Sequence, residues 1–274
     1  MANCCAKGSL TCSRTMNQVG GLIGVSNGLV EQSCAIGSVA VWGESDSVGG
    51  LIGGSSGPVV NCHALGNVNC GSQTRRVGGL LGMCTVAAVS DCSAKGNVCG
   101  REALGGLIGL ASFSTIRASY ATGNVSWWEN VPNCDVGGLV GRAETVDILD
   151  CYARGNVSGE RSIGGLVGYA WAGRTERCYA VGRVSGKGSV GGLLGLEERS
   201  TYDSCFWDMS ASGQTTGANP KYASPHVKIA SGRCTADMQT ISLYRDAGWD
   251  LQNVWTICEG KDYPRLRWEG TTCP

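Results

Sequence analysis

Cysteine is the residue type with the greatest chemical potential in this sequence. The 274-residue chain contains 16 cysteines but no C-x-x-C pair, and it has only two histidines, His63 and His226. Structural zinc sites need close cysteine pairs or cysteine together with histidine, and the only adjacent pair is Cys4–Cys5. The spacing therefore predicts neither a metal site nor a cofactor. Because a reducing cytosol rarely accommodates so many cysteines except as metal ligands, they indicate an extracellular or cell-surface location.

Carboxylate pairs are the other groups that could carry out a reaction. Glycoside hydrolysis needs two carboxyl groups about 5 to 9.5 Å apart. The candidate pairs are Asp91 with Asp150, Asp147 with Asp150, and Glu197 with Glu198. None has a basic partner at the matching repeat position, so the sequence favours a protein that is not an enzyme. A polysaccharide lyase or hydrolase remains the alternative.

A repeat positions these residues along the chain. A V-G-G-L-x-G motif occurs seven times at intervals of 27 to 32 residues, starting at Val19, Val48, Val77, Leu104, Val136, Ile163 and Val190. A second motif, C-Y-A-x-G-x-V, alternates with it and is clearest from Cys151 to Val157. Short β-prone runs at this period predict an all-β fold, a parallel β-solenoid of about 7–8 coils.

The first motif predicts one strand of each coil and a sharp bend. Its leucine recurs in every copy, so we expect an inward leucine column that buries apolar area along the rod. The flanking glycines are expected to let the strands bend and pack closely, including at positive φ.

The second motif places cysteine and its neighbour on opposite faces of a strand, because side chains alternate along β-strands. We expect the inward column to be buried, stacked thiols and hydroxyls; it contains Cys4, Ser33, Cys62, Cys92, Ser119, Cys151, Cys178 and Cys205. In the outward column Cys5 and Cys34 lie on consecutive coils and form the first disulfide candidate. Cys70 and Cys99 are the second candidate, although they are offset by one residue in the motif.

The outward column continues into a row of aromatic residues. Tyr120, Tyr152 and Tyr179 follow one another on consecutive coils, and Trp127 and Trp128 lie in the longest interval between motifs. Flat aromatic surfaces bind sugar rings or protein partners, so these five are the candidate ligand-binding residues. The alternative for the tyrosines is that they stabilise the sheet by stacking or are covered by the C-terminal part of the chain.

Asparagines form another column, at positions 67, 97, 124 and 156. Asparagine at a turn hydrogen-bonds neighbouring backbone groups. We therefore expect this ladder to satisfy the backbone of a solenoid corner, in preference to binding a ligand.

The chain changes character after about residue 199. We predict solenoid repeats over residues 1–199 and a small mixed α/β C-terminal cap over residues 200–274, since the open end of a solenoid needs a cover. In this cap Thr235 is a candidate N-cap for a helix that runs to about Arg245.

Charge and hydropathy exclude two kinds of partner. Lys+Arg and Asp+Glu both number 22, so no excess of positive charge is available to bind nucleic acid. No apolar run is long enough to predict membrane insertion. The first ten residues lack the pattern of an export signal, and we expect a fragment from which that signal is absent.

The two alternating motifs resemble the GLUG-motif repeats of bacterial cell-surface and secreted proteins. The stretch CFWDMSASGQTTG from Cys205, with the residues that follow, is similar to the segment that commonly closes such arrays. The resemblance implies an adhesin-like role. Such repeats also occur beside the catalytic domain of immunoglobulin-A-cleaving metallopeptidases, but the H-E-x-x-H sequence that those peptidases require is absent here.

Together these observations predict a rigid, non-catalytic scaffold or binding module that belongs to a larger surface protein. The expected partners are a glycan or a host or cell-surface protein. Besides the carbohydrate-active enzyme, a second alternative is a filament subunit that associates end to end through its uncapped first coil.

Overall fold

The protein is an all-β parallel solenoid of about eight coils, as the repeat predicts. The computed structural model describes residues 1–128, 134–221, 230–270 and 273. Each coil contributes one short strand to each of five parallel sheets, which we number 1 to 5 in the order in which the chain first visits them. Equivalent residues of successive repeats are register partners in these sheets, so every motif position forms a column along the rod.

The strands have the following bounds. Sheet 1 contains Cys5–Ala6, Cys34–Ala35, His63–Ala64, Ser93–Ala94, Tyr120–Ala121, Tyr152–Ala153, Tyr179–Ala180, Cys205–Asp208 and Ala230–Arg233. Sheet 2 contains Leu10–Cys12, Val39–Val41, Val68–Cys70, Val98–Gly100, Val125–Trp127, Val157–Ser158 and Val184–Ser185. Sheet 3 contains Met16–Gly20, Ser45–Gly49, Val77–Gly78, Ala103–Gly105, Asp135–Gly137, Ser162–Gly164 and Ser189–Gly191. Sheet 4 contains Ile23–Ser26, Ile52–Ser55, Leu81–Thr85, Ile108–Ser112, Val140–Glu144, Val167–Trp171, Leu194–Glu198 and Asn219–Pro220. Sheet 5 contains Val30–Glu31, Val59–Val60, Ala88–Ser90, Thr115–Arg117, Asp147–Leu149, Arg174–Glu176 and Thr201–Asp203.

The rest of the described chain is short helices and one antiparallel strand pair. The helices are α1 (Met209–Ser212) and α2 (Ile241–Asp246), with 3₁₀ turns at Asp237–Gln239 and Arg267–Glu269. Trp255–Thr256 pairs with Arg265–Leu266. The predicted boundary at residue 199 stays a prediction; the solenoid strands continue to Asp208.

The helix prediction for this region was partly wrong. Thr235 does not cap a helix, because its hydroxyl donates instead to the Asp208 carboxylate at 2.7 Å. The helix begins later, after Thr240, and ends before Gly248, which adopts a left-handed φ of 77°.

The two sequence motifs pack against each other across the interior of the coil. A Cβ placed on Gly165 would lie 2.9 Å from the Cβ of Ala180 and would overlap the Gly192 carbonyl oxygen. The same approach joins the second glycine of the first motif to the alanine of the second motif in the earlier coils, at Gly21, Gly50, Gly79, Gly106 and Gly138. Small residues on both sides therefore set the thickness of the rod.

The third motif glycine lies in the sheet 4 strand, where it packs closely against the backbone of the preceding coil. A Cβ on Gly168 would lie 2.5 Å from the Val136 backbone nitrogen and 2.6 Å from the Gly141 carbonyl oxygen. The expectation that some motif glycines adopt positive φ was wrong: no V-G-G-L-x-G glycine has a left-handed φ. These glycines are needed because backbone from neighbouring strands occupies the space of a side chain.

Two apolar cores run along the rod. The larger, between sheets 1, 4 and 5, contains the predicted leucine column, and Leu51, Leu80, Leu107, Leu139, Leu166 and Leu193 have no exposed surface. The smaller, between sheets 2 and 3, is built mainly from valines such as Val68 and Val136. At the last coil Trp207 replaces the motif alanine, and its indole fills the space beside Gly192 and Gly217. Sheet 1 continues for one more strand, in which Gly232 is the register partner of Trp207 and leaves room for the indole.

Gly165→Ala tests the close packing of the two motifs. We expect a loss of about 3 kcal/mol in the free energy of unfolding, since overpacking a rigid site forces backbone shifts. Gly28→Ala is the matched control, because a Cβ there meets nothing within 4 Å and should keep stability within about 1 kcal/mol of wild type. Urea unfolding followed by circular dichroism measures both, and equal stabilities would contradict this packing.

Candidate functional site

Each coil turns sharply just before the inward cysteine or serine. The residue ahead of it has a φ between 44° and 55° in all eight copies, which are Asn3, Gln32, Asn61, Asp91, Ala118, Asp150, Arg177 and Ser204. Such values are uncommon for residues other than glycine. The corner is therefore a fixed feature of the fold that the next side chain must support.

The inward thiols and hydroxyls provide that support. The Cys151 thiol donates to the Leu149 carbonyl at 3.1 Å, and the Ser119 hydroxyl donates to the Arg117 carbonyl at 2.7 Å. Each of these hydrogen bonds joins a side chain to the carbonyl two residues before it, across the corner. Cysteine and serine therefore make the same contact. Cys62, Cys92, Cys151, Cys178 and Cys205 are buried as predicted, whereas Cys4 on the first coil is only half-buried. Burial raises the pKa of Cys178 and Cys205 well above the usual thiol range. These thiols are structural groups, because an unreactive protonated thiol is favoured there.

One of the two predicted disulfides is present. Cys5 and Cys34 are register partners on the outward face and are bonded, with Cα atoms 4.5 Å apart. The Cys70–Cys99 prediction was wrong: the register partner of Cys99 is Asn69. The offset of one residue turns Cys70 into the core while Cys99 points outward. A second disulfide joins Cys258 to Cys273, a pairing that the sequence left open.

The predicted tyrosine ladder exists, but it is not an open surface. The Tyr120 and Tyr152 rings stack at 4.8 Å and the Tyr152 and Tyr179 rings at 5.0 Å, close to parallel. All three side chains are buried beneath residues 230–270, which we call the C-terminal segment. The candidate ligand-binding role of these tyrosines as an outward aromatic platform was therefore wrong, because the protein's own chain covers them.

Trp268 of the C-terminal segment completes the ladder. Its ring lies 5.5 Å from both His63 and Tyr120, which flank the small Ser93 in the column. The indole thus takes the ring position that Ser93 leaves vacant, and its N–H donates to the Ala118 carbonyl at 2.8 Å. The stack continues without interruption from His63 to Tyr179.

Polar contacts hold the C-terminal segment in place. Arg154 donates to the Tyr179 hydroxyl at 2.9 Å and pairs with Asp262 at 3.0 Å. The Tyr152 hydroxyl donates to Glu269 at 2.9 Å. Burial, followed by the neighbouring Tyr179 and Glu269, raises the pKa of Tyr152 far above its usual range. The hydroxyl therefore stays a donor to the carboxylate.

The two adjacent tryptophans have different environments. Trp127 packs against the valine core and its indole N–H is buried without a partner. Trp128 keeps 40% of its surface exposed, while its indole N–H donates to the Cys70 carbonyl. Their ligand-binding role stays a prediction, and residues 129–133, which follow them, lie outside the described part of the chain.

Asp150, one of the carboxylates that could have formed an enzyme site, makes structural contacts instead. Asp150 is buried and accepts two hydrogen bonds from Arg177, at 2.8 and 3.2 Å, and one from the Trp255 indole. Arg177 occupies the same corner position one coil later. The prediction that none of these acids has a basic partner at the matching repeat position was therefore wrong for Asp150. Through Trp255, Asp150 also links a corner to the C-terminal segment.

Glu197 is a carboxylate of a different kind. It has no exposed surface, one oxygen accepts the Ser200 backbone N–H, and the other has no hydrogen-bond partner. Burial raises the pKa of this carboxyl. The fold therefore favours its protonated form.

The asparagine column satisfies the backbone of a solenoid corner, as predicted, and it borders a groove. The Asn97, Asn124 and Asn156 carboxamide oxygens each accept the backbone N–H of the next coil at 2.9 Å. A groove of about 410 Å³ lies between these residues and the outward serines of sheet 2. The column was predicted from the spacing of the asparagines, whereas the groove was not.

Across residues 1–128, 134–221, 230–270 and 273, no cluster of three or more His, Cys, Asp or Glu is arranged to hold a metal ion. In the same part of the chain, no helix has the length and apolar character needed to span a bilayer.

The fold and its columns define a β-solenoid repeat protein. Residues 100–126, 132–158 and 159–185 each match the family model of the GLUG motif, so these repeats are GLUG-motif repeats, in agreement with the resemblance. Neither the curated proteins nor the solved structures give a match to this chain.

Trp268→Ala tests the closure of the aromatic ladder. We expect a loss of about 3 kcal/mol in the free energy of unfolding, because a ring that packs between His63 and Tyr120 is removed. Trp171→Ala, at an exposed tryptophan on sheet 4, is the control and should cost clearly less. Urea titration followed by near-ultraviolet circular dichroism measures both; a Trp268 variant as stable as the control would show that the ladder does not depend on the C-terminal segment.

Glu197→Gln tests the buried carboxyl. A folded-state pKa above the unfolded value contributes stability below the unfolded pKa, and that contribution is lost as pH rises through the folded pKa. Glutamine retains the oxygen that accepts the Ser200 N–H and carries no charge. The variant should therefore match wild type near pH 4 and exceed its stability at pH 7.

The neighbouring Glu198 is the control for that comparison. The Lys221 ammonium lowers the pKa of Glu198. Glu198→Gln should therefore be less stable than wild type at pH 7, and this difference should be smaller at pH 4. Thermal melts across this pH range measure both variants. A Glu197 variant that is less stable than wild type at pH 7 would contradict the assignment.

Proposed function

We propose that this protein is a rigid, non-catalytic module of an extracellular surface protein, with an adhesin-like scaffold or binding role. The observation that carries the proposal is the register of the five sheets, in which backbone hydrogen bonds join every coil to the next. Such a ladder resists bending and keeps the outward columns at a constant spacing. The motif that repeats most regularly is used for packing, which suits a scaffold.

The disulfides support the extracellular part of the proposal. Cys5–Cys34 joins the first two coils and Cys258–Cys273 closes a loop beside the C-terminal segment. Disulfides persist mainly in oxidising compartments. The buried cysteines of the inward column, from Cys62 to Cys205, serve as corner donors, so they do not argue for a reducing compartment.

The use of the carboxylates supports the non-catalytic part. Asp150 is tied to Arg177, Asp147 pairs with Arg174 at 3.6 Å, and Glu198 pairs with Lys221 at 2.8 Å. Glycoside hydrolysis needs one acid to give a proton and another to act as base or nucleophile. Acids committed to structural ion pairs are poorly suited to those two tasks.

A combined binding and turnover assay tests the proposal. The purified chain should release no reducing sugars from soluble polysaccharides over many hours, and Asp150→Asn should behave in the same way. Release of reducing ends by wild type would reject the non-catalytic role in favour of a carbohydrate-active enzyme, and its loss in the Asp150 variant would assign the activity to that carboxylate. An inactive chain that binds a glycan or cell-surface protein on an array supports the module.

A further inference from the structure

The groove on the outward face of sheet 2 presents a regular set of free hydrogen-bonding groups. Because the oxygen of each asparagine accepts a backbone N–H from the next coil, the orientation of the carboxamide is fixed. The amide nitrogens of Asn97, Asn124 and Asn156 have no acceptor among the described residues. Each coil thus offers an N–H₂ donor that is held in place without being used.

A second row runs parallel to the asparagines. Ser126, Ser158 and Ser185 are register partners on the outward face. Each lies two residues after the asparagine-column position of its coil, and all three line the same groove. Hydroxyls can donate and accept. Coils repeat at about 4.8 Å, so the two rows form a ribbon of paired donors and acceptors that extends over several coils.

Trp128 provides an aromatic surface beside this ribbon. Its backbone N–H donates to the Gly100 carbonyl at 3.1 Å, and its indole N–H donates to the Cys70 carbonyl. Gly100 and Cys70 directly follow the groove residues Cys99 and Asn69. One hydrogen bond from the backbone and one from the indole thus tie Trp128 to residues that adjoin the groove lining, and its indole is partly exposed there.

The lining chemistry limits what can bind. Among the described residues that line the groove there is no carboxylate and one cation, Arg183, at one end. A nucleic acid would need several positive charges along its backbone. An extended peptide would need pockets for alternate side chains, whereas the apolar residues below the groove, Val98, Val125 and Val157, are closed into the core. A neutral polyol matches groups that both donate and accept.

We propose that this groove binds a neutral polysaccharide chain lying along the rod, with sugar hydroxyls on the asparagine and serine rows and one ring against Trp128. The inference rests on the proposed binding module and names the ligand class and the surface. The aromatic residue that contacts the sugar in this proposal is Trp128, not one of the buried tyrosines.

The double variant Asn124→Asp and Asn156→Asp tests the groove without breaking the corner. Aspartate keeps an oxygen to accept the backbone N–H, but it removes the N–H₂ donors and adds negative charge. The matched control is Asn27→Asp on another face, where the Asn27 oxygen likewise accepts a hydrogen bond from the next coil, from Ser56. Thermal melts confirm that both variants fold.

The measurement is affinity electrophoresis of the full chain in gels that contain laminarin, xylan, galactomannan or dextran, with heparin as an acidic comparison. We expect wild type and the Asn27 variant to be retarded by at least one neutral polysaccharide and not by heparin. The double variant, and separately Trp128→Ala, should lose at least tenfold in affinity.

Three results would overturn the inference. They are no retardation of wild type by any neutral polysaccharide, equal retardation of the double variant, and selective retardation by heparin instead. None of these results by itself rejects the non-catalytic module, which fails only if polysaccharide is turned over. The two proposals therefore fail separately.

Discussion

The contact between two small residues inside each coil is the constraint on which the structure depends. The second glycine of one motif faces the alanine of the other, as Gly165 faces Ala180, at a distance that leaves no room for a second side chain. This contact packs sheet 1 against the bend between sheets 3 and 4 and fixes the shape of the cross-section. Because every coil has the same shape, the coils stack in register. Equivalent residues of successive coils then form columns along the rod.

The columns divide the molecule into parts that serve the fold and parts that remain available. The inward cysteines and serines support the left-handed corners, and the leucines and valines fill two cores. The outward tyrosines bind the C-terminal segment, whose Trp268 fills the single gap in their stack. The asparagine and serine rows of sheet 2 are left facing solvent in a groove, and we therefore look there for recognition.

Sequence periodicity predicted the coil, its motif strands and the Cys5–Cys34 bond, because alternation within a strand and a constant repeat determine which residues share a column. It failed where a single residue offset mattered, as at Cys70 and Cys99, since one step reverses the face. It could not decide between an open tyrosine platform and a covered one, because the cover comes from residues about 85 to 150 positions away. Nor could it show that Arg177 reaches back to Asp150 across a coil.

The stacking register is tested most directly by a new cysteine on the outward face of sheet 2. Cys99 has Asn69 and Ser126 as its register partners, and Cys5–Cys34 shows that adjacent outward positions can be bridged. In Ser126→Cys under mild oxidation, peptide mapping by mass spectrometry should find a disulfide between Cys99 and the cysteine introduced at position 126, with Cys70 still a thiol. A bond from Cys99 to Cys70 would contradict the register and, with it, the account of the fold.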